Sequence, residues 1–384
     1  MRAYLVICVA SLAATSACVP GEGSCGTAAE CPVGPHGAPL CEGGRCAVAC
    51  EAGFASCDNS LANGCEVEVA SNPRHCGRCG HDCLGGACEA GRCRPVQVAS
   101  GFVSVGQIAA YGPERAIYWH DRGEPAKPTG RLLRKRLPDG MVETLVDGLS
   151  YPFGVDVDAG GVYWTDGFEA SAAGSVGMLA PGSAMPRVLA ANRYVPVGIK
   201  VHGAHVYWAE YGPSLVMRVA KAGGAPEVLA QPAMPMTDGL VGIAVSDRYV
   251  FASNKWLGQI VRVSLTGGDG KILYTTPRLR QVAVDGAAVW WTEDDGAVMR
   301  GDESGAAAQT VVSNLAGAYG IALNGDSVYF ADPTSAGAIY RAPKTGGAKE
   351  VLASTQALPF GLAVDDSAVY WTNRGDNTVW LLAK

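Results

Sequence analysis

The chain has 384 residues, 48% of them apolar, which is room for two or three domains with a sizeable core. Its net charge of −6 is mild and no long basic run occurs, which argues against nucleic acid as a partner. The 51 glycines and the lack of long helical periodicity speak for an all-β chain with many tight turns.

Residues 1–17 read as a secretion signal: a positive charge at Arg2, an apolar run from Ala3 to Ala14, then small residues through Ala17. The run is too short to span a bilayer as a permanent helix. Thr15-Ser16-Ala17 directly before Cys18 resembles the lipobox of bacterial lipoproteins, with Thr15 where that family has Leu. The resemblance implies that Cys18 is lipidated and heads the mature chain, an outer-membrane or cell-surface lipoprotein. Cysteine parity agrees. Of 14 cysteines, Cys8 leaves with the signal and lipidating Cys18 leaves 12, an even number suited to disulfides, whereas plain secretion leaves an odd thiol.

Residues 18–94 hold the remaining cysteines and few large aliphatic side chains, so cross-links must stabilise this region. Spacing does not reveal the pairing. The segments Gly53 to Asp58, Asn63-Gly64-Cys65-Glu66 and Asn72 to Cys79, running on to Cys93, resemble a cysteine-rich module of secreted myxobacterial proteins. That resemblance implies location rather than activity. Cys76, Cys79 and Cys83 with His75 and His81 have zinc-ligand chemistry, but an oxidising compartment favours disulfides. Asp58, Asn59, Asn63 and Glu66 offer oxygens to calcium, against the favoured reading of an Asx-stabilised turn.

Residues 95–384 are organised around Val162-Tyr163-Trp164-Thr165-Asp166. Copies recur at 117–121, 206–210, 250–254, 289–293, 328–332 and 369–373, with the aromatic second positions 39 to 45 residues apart. Such a period marks a propeller or solenoid. One unit reads as four short strands: Gly154 to Val157, Val162 to Asp166, Ser175 to Leu179 and Arg187 to Ala190. Small residues in the first strand suit the axis, and the paired aromatics of the second suit the wedge between blades. The last unit lacks a fourth strand, and Pro95 to Ser100 resembles the missing piece. The expected fold is therefore a seven-bladed β-propeller closed by an N-terminal strand and preceded by a small disulfide-rich region. A six-bladed ring with a stray repeat is the alternative.

The repeat resembles the YWTD propellers of the low-density-lipoprotein-receptor type, and more loosely the NHL type. The resemblance implies that the polar residue ending each motif is structural. That role falls here to Asp121, Asp166, Glu210, Glu293 and Asp332, with Asn254 and Asn373 as neutral substitutes. The competing reading, a cation site made by this ring, is less economical than one repeated hydrogen bond per blade.

Loops after the second strands and between blades vary in length and chemistry and emerge on one face, where recognition is expected. Tyr151, Phe153, Tyr211, Trp256, Arg278, Arg280, Tyr319 and Phe360 are the candidate binding residues, an aromatic and arginine mixture suited to a protein, peptide or glycan partner. Arg122, Lys127 and Lys255 belong to the same face. Arg374-Gly375-Asp376 spells an adhesion tripeptide but reads as an ordinary turn.

No catalytic residue, metal or cofactor is assigned. Seven-bladed streptogramin lyase and six-bladed gluconolactonase-type lactonases are the nearest catalytic resemblances, and the first implies a His and Glu cluster holding magnesium. Only His120, His202 and His205 lie in the repeats, on opposite faces, and they form no such cluster. His120 reads as a substitute for the motif threonine, with a general base as the competing reading. Two functions follow: a membrane-anchored or secreted binding module, or a metal-dependent lyase or lactonase.

Overall fold

The structure, a computed structural model, describes residues 18–167, 173–231, 239–276 and 278–384. The expected secretion signal lies outside them. The chain forms two compact units, one running to Val96 and taking in Leu382–Lys384, the other covering Gln97–Leu381.

The first unit is held by cross-links. Strands Cys18–Ser24, Gly37–Glu42 and Arg45–Cys50 form a three-stranded antiparallel sheet with Arg45–Cys50 in the middle. Two short ladders follow, Phe54–Ala55 with Val67–Glu68 and Cys88–Glu89 with Arg92–Cys93. All 12 cysteines between residues 25 and 93 pair, as Cys25–Cys41, Cys31–Cys46, Cys50–Cys65, Cys57–Cys79, Cys76–Cys88 and Cys83–Cys93. Cys76, Cys79 and Cys83 are thus disulfide sulfurs, which leaves the zinc reading no thiolates. Asp58 accepts from the Ser60 amide and the Asn63 side chain, and Glu66 from the Cys57 amide, so these oxygens brace a turn.

The second unit is built of seven four-stranded antiparallel sheets among the described residues. Six are simple meanders. The seventh takes Pro359–Val364, Ala368–Asn373 and Thr378–Ala383 from the C-terminus and completes itself with Val96–Ala99, the strand expected to close the ring. The inner strands are Val105–Tyr111, Pro152–Asp158, Pro196–His202, Leu240–Val245, Leu279–Asp285, Ile321–Asn324 and Pro359–Val364. Each touches the next and the last touches the first, making a closed circuit. They line a central cavity of about 380 Å³.

Glycine permits this crowding. A Cβ on Gly154 would lie 2.7 Å from the Val197 carbonyl oxygen, and one on Gly361 would lie 2.6 Å from that of Gly106.

The second strand of each sheet carries the repeated motif, and its side chains alternate between the two faces of the sheet. Tyr118 therefore joins a core with Trp164 of the next sheet, Tyr163 with Trp208, and Phe251 with Trp291. Trp119, Trp208, Trp290, Trp291 and Trp371 are almost fully buried. Each aromatic sealed this way contributes roughly 2–3 kcal/mol from apolar burial.

The threonine position bolts neighbouring sheets together. Thr165 Oγ1 accepts from the Gly154 amide of its own inner strand (2.9 Å) and donates to the Val197 carbonyl of the next (2.6 Å). Thr292 bridges Gln281 to Tyr319 in the same way, and Thr372 bridges Gly361 to Gly106 across the junction of the last and first sheets. His120 occupies this position in the first sheet. Its Nε2 lies 2.6 Å from the Phe153 carbonyl oxygen and 3.0 Å from the Gln107 amide nitrogen; a single ring nitrogen cannot donate and accept at once, so as an N–H donor to Phe153 it keeps the tie to the next sheet and gives up the bond to its own inner strand.

Candidate functional site

The polar residue that ends each motif is engaged with the chain itself. Asp121 accepts from the amides of Val103, Ser104 and Gly123 and pairs with Arg131 at 2.7 Å. Burial pushes its carboxyl up, but Arg131 and these amides outweigh that and hold it below the ordinary value. Asp166 accepts from Ser150 and Tyr151, and there burial wins and raises the carboxyl. Glu210 pairs with Arg193, while Glu293 accepts from Thr276 and the Trp291 indole. Asp332 accepts from the Thr334 amide. Asn254 accepts from the amides of Trp256 and Leu257, and Asn373 donates to Gln356. Two of these bonds aim candidate residues directly: Asp166 holds Tyr151, and Asn254 holds Trp256.

One position further along, the repeat stops being uniform. The residue after the motif is Arg122, Gly167, Tyr211, Lys255, Asp294, Pro333 or Arg374. In five sheets its amide donates to the carbonyl just before the inner strand: Arg122 to Ser104, Gly167 to Tyr151, Tyr211 to Val195, Asp294 to Arg278 and Arg374 to Leu358. The backbone thus sets these side chains at one level, at the end of the central cavity where Phe153, Arg280 and Tyr319 line it.

Cations and rings alternate around this mouth. The Arg122 guanidinium lies 4.8 Å from the Tyr151 ring centre and 4.9 Å from that of Phe153, and its Nη1 donates to the Tyr151 hydroxyl at 3.0 Å. Arg374 lies over Phe360 at 3.2 Å, Phe360 meets Tyr319 at 4.4 Å, and Arg280 sits 5.4 Å from Tyr319 while pairing with Asp294. Lys255 stands 5.0 Å from the ring of Trp256, whose indole donates to the Tyr211 hydroxyl at 2.9 Å. Trp256 is 58% exposed, a large apolar surface offered to solvent.

Burial and like charge act together here. Burial, with Arg122 adding to it, lowers Arg374 to about 10. Burial first, then the Arg280 charge, lowers Lys255 against the pull of Asp294. Burial raises the Tyr319 hydroxyl, and burial followed by the Arg122 charge drives His120 well below the usual imidazole range. His120 is therefore neutral at pH 7.

The structure thus brings together Tyr151, Phe153, Arg280, Tyr319 and Phe360, with Tyr211 and Trp256 as a second, linked stack. Arg278 is exposed, and among the described residues its side chain makes no hydrogen bond or ion pair. Arg374 and Asp294 were missed as site residues. Arg374 opens the Arg-Gly-Asp tripeptide, yet its side chain packs on Phe360 while the Gly375 amide donates to Ala357 and Asp376 accepts from Thr378. Reading one residue past each motif would have found both.

A divalent cation does not fit this donor set. Three of the residues after the motifs are cations, and Asp294, the acid among them, is held by Arg280. His202 pairs with Asp247 and lines a separate depression with Arg248 and Glu303, formed by the turns that follow the inner strands.

No family model and no curated protein matches the chain. Solved structures do resemble it. A catalytically inactive histidine-to-alanine variant of virginiamycin B lyase from Staphylococcus aureus, bound to quinupristin, aligns at a TM-score of 0.62 and 14% identity, covering 76% of this chain and 98% of that one. A streptogramin B lyase aligns at 0.61 and 12% identity, covering 75% and 96%. The computationally designed Ika8 protein aligns at 0.51 and 13% identity, covering 75% and 98%. At such identities these likenesses show the fold alone, a β-propeller.

Proposed function

We propose that the chain is a binding module of the cell envelope, a seven-bladed propeller whose channel mouth recognises a protein, peptide or glycan partner. A lipid on Cys18 anchors it to the membrane. The observation that carries this reading is the mouth itself: aromatic rings and cations from separate sheets stack into one surface, with Trp256 exposed beside it. Rigid rings bury much area at little entropic expense, which is why such groups serve as anchors in interfaces.

The test is binding of the mature chain to peptide and glycan arrays. Trp256→Ala and Arg280→Ala should each remove the strongest signals, while Arg278→Ala changes them little. Binding that survives both of the first two changes refutes the mouth as the recognition surface. Anchoring is tested separately, by labelled fatty acid reaching the wild type and not Cys18→Ser.

A lyase is the second reading, favoured by the two lyase structures that align over nearly their whole length. Against it, the S. aureus lyase variant is inactive with one histidine replaced, and here His120 is buried between sheets and His202 and His205 flank a turn at the other end of the inner strand. Turnover of quinupristin by the wild type would establish it.

A further inference from the structure

Arg122 is nine-tenths buried, yet its Nε and Nη2 have no hydrogen-bond partner, and the buried Nε of Arg374 has none either. Among the described residues no carboxylate pairs with either guanidinium, whereas Arg131, Arg193 and Arg280 all have one. Two unneutralised guanidinium groups at the same place in the first and last sheets, near enough for the charge of one to act on the other, are costly to the folded state. Native proteins retain such an arrangement where a ligand completes it.

The rings decide which edges remain available. Tyr151 and Phe153 lie against the Arg122 guanidinium and Phe360 against a face of Arg374, so aromatic carbon takes up much of the flat surface of both groups. The unpartnered N–H groups lie in the guanidinium planes, and these are the donors that engage an oxyanion two at a time.

The geometry points to an oxyanion site at the channel mouth, in which Arg122 and Arg374 jointly bind a carboxylate, phosphate or sulfate group of the ligand. This deepens the binding reading by stating the charge of the partner, and it rests on that reading. The paired Arg280 and the stack of Lys255, Trp256 and Tyr211 take no part in holding the anion and are left to contact the body of the ligand.

The test uses the mature full-length chain at pH 7, titrated with sodium acetate, phosphate and sulfate at ionic strength matched by sodium chloride, and read by calorimetry and thermal midpoint. At least one anion should bind saturably and raise the midpoint, and the preferred anion identifies the ligand group. Arg122→Gln and Arg374→Gln should each weaken it tenfold or more, with Arg122→Lys in between because it keeps charge without the fork. In chloride alone, Arg374→Gln should melt no lower than wild type, since it relieves like-charge crowding. A structural arginine would instead lower the midpoint and leave any anion response unchanged, which overturns the proposal, as does the absence of saturable binding by all three anions. Glu169 lies outside the described residues, and a tenfold gain in anion affinity in Glu169→Gln would show that the chain's own carboxylate fills the site, again overturning it. Array binding that is lost in Trp256→Ala but indifferent to all three anions would sink this inference and leave the recognition surface standing.

Discussion

Replacing Thr372 with valine removes one oxygen from the junction that closes the propeller. The side chain is fully buried, accepts from the Gly361 amide at 3.0 Å and donates to the Gly106 carbonyl at 2.7 Å. Valine keeps nearly the same shape, so little packing is lost and two buried backbone groups are left without partners. Each such group costs about 1–3 kcal/mol, which places the loss near 2–6 kcal/mol. With a urea slope of about 3 kcal/mol/M, the unfolding midpoint should fall by roughly 1 to 2 M. Thr372→Ser keeps the hydroxyl and gives up one methyl group, worth about 1 kcal/mol. Urea unfolding of the three proteins, followed by tryptophan emission, separates the two effects. A valine variant as stable as wild type, or a serine variant as damaged as the valine one, would refute the hydroxyl as the tie between the sheets.

A Cβ on Gly106 would lie 1.9 Å from the His120 ring, so Gly106→Ala should destabilise by about 1–3 kcal/mol. His120→Thr should rescue it, and a double-mutant cycle in urea without positive coupling would exclude this pairing. His120 is held neutral by burial and then by Arg122, so the unfolded chain binds its proton first as the medium turns acidic. Its contribution to stability is full above the unfolded value of about 6.5 and shrinks as pH falls below it, by up to about 1.4 kcal/mol per unit. His120→Thr should flatten the urea midpoint between pH 7 and 5, and an unchanged slope would contradict the assignment. The six disulfides close loops of 10 to 22 residues, each worth about 3 kcal/mol, around a small core. All 8 tryptophans lie in the other unit, so reductant should raise hydrogen exchange across residues 25–93 while tryptophan emission stays unshifted. A red shift on reduction at 25 °C would count against independent stability of the propeller.

The repeat was legible because each of its letters has a separate physical task. Tyr163 and Trp164 point to opposite faces and seal two different seams, Thr165 bolts one sheet to the next, and Asp166 ties the incoming loop. Selection for all four leaves the pattern readable even where Phe330 replaces the tryptophan or Asn373 the acid. The closing strand was equally visible, since Val96–Ala99 carries the outer-strand pattern at the wrong end of the chain. The disulfide map was not, because cysteine spacing does not state which sulfurs the turns bring together. Cys57, for instance, reaches past Cys65 and Cys76 to Cys79. Nor was Gln356, which accepts from both the Trp371 indole and the Asn373 amide and so replaces the missing acid of the last sheet from a different strand.

The site was half legible for a related reason. A residue inside the motif is determined by its neighbours in the sheet, so its identity reports on folding. In five sheets the residue after the motif has its backbone fixed by an amide hydrogen bond to the preceding loop, a bond that any side chain but that of proline allows. Its identity is therefore not set by the fold, and Arg122, Gly167, Tyr211, Lys255, Asp294, Pro333 and Arg374 show no common structural demand. Aromatic candidates could be recognised singly, because a tryptophan in a short loop is conspicuous. The two arginines could not, because what distinguishes them is the absence of a counter-charge in three dimensions. Arg280 and Arg374 look alike in sequence. One is neutralised by Asp294, and the other is stacked on Phe360 with its buried Nε unsatisfied.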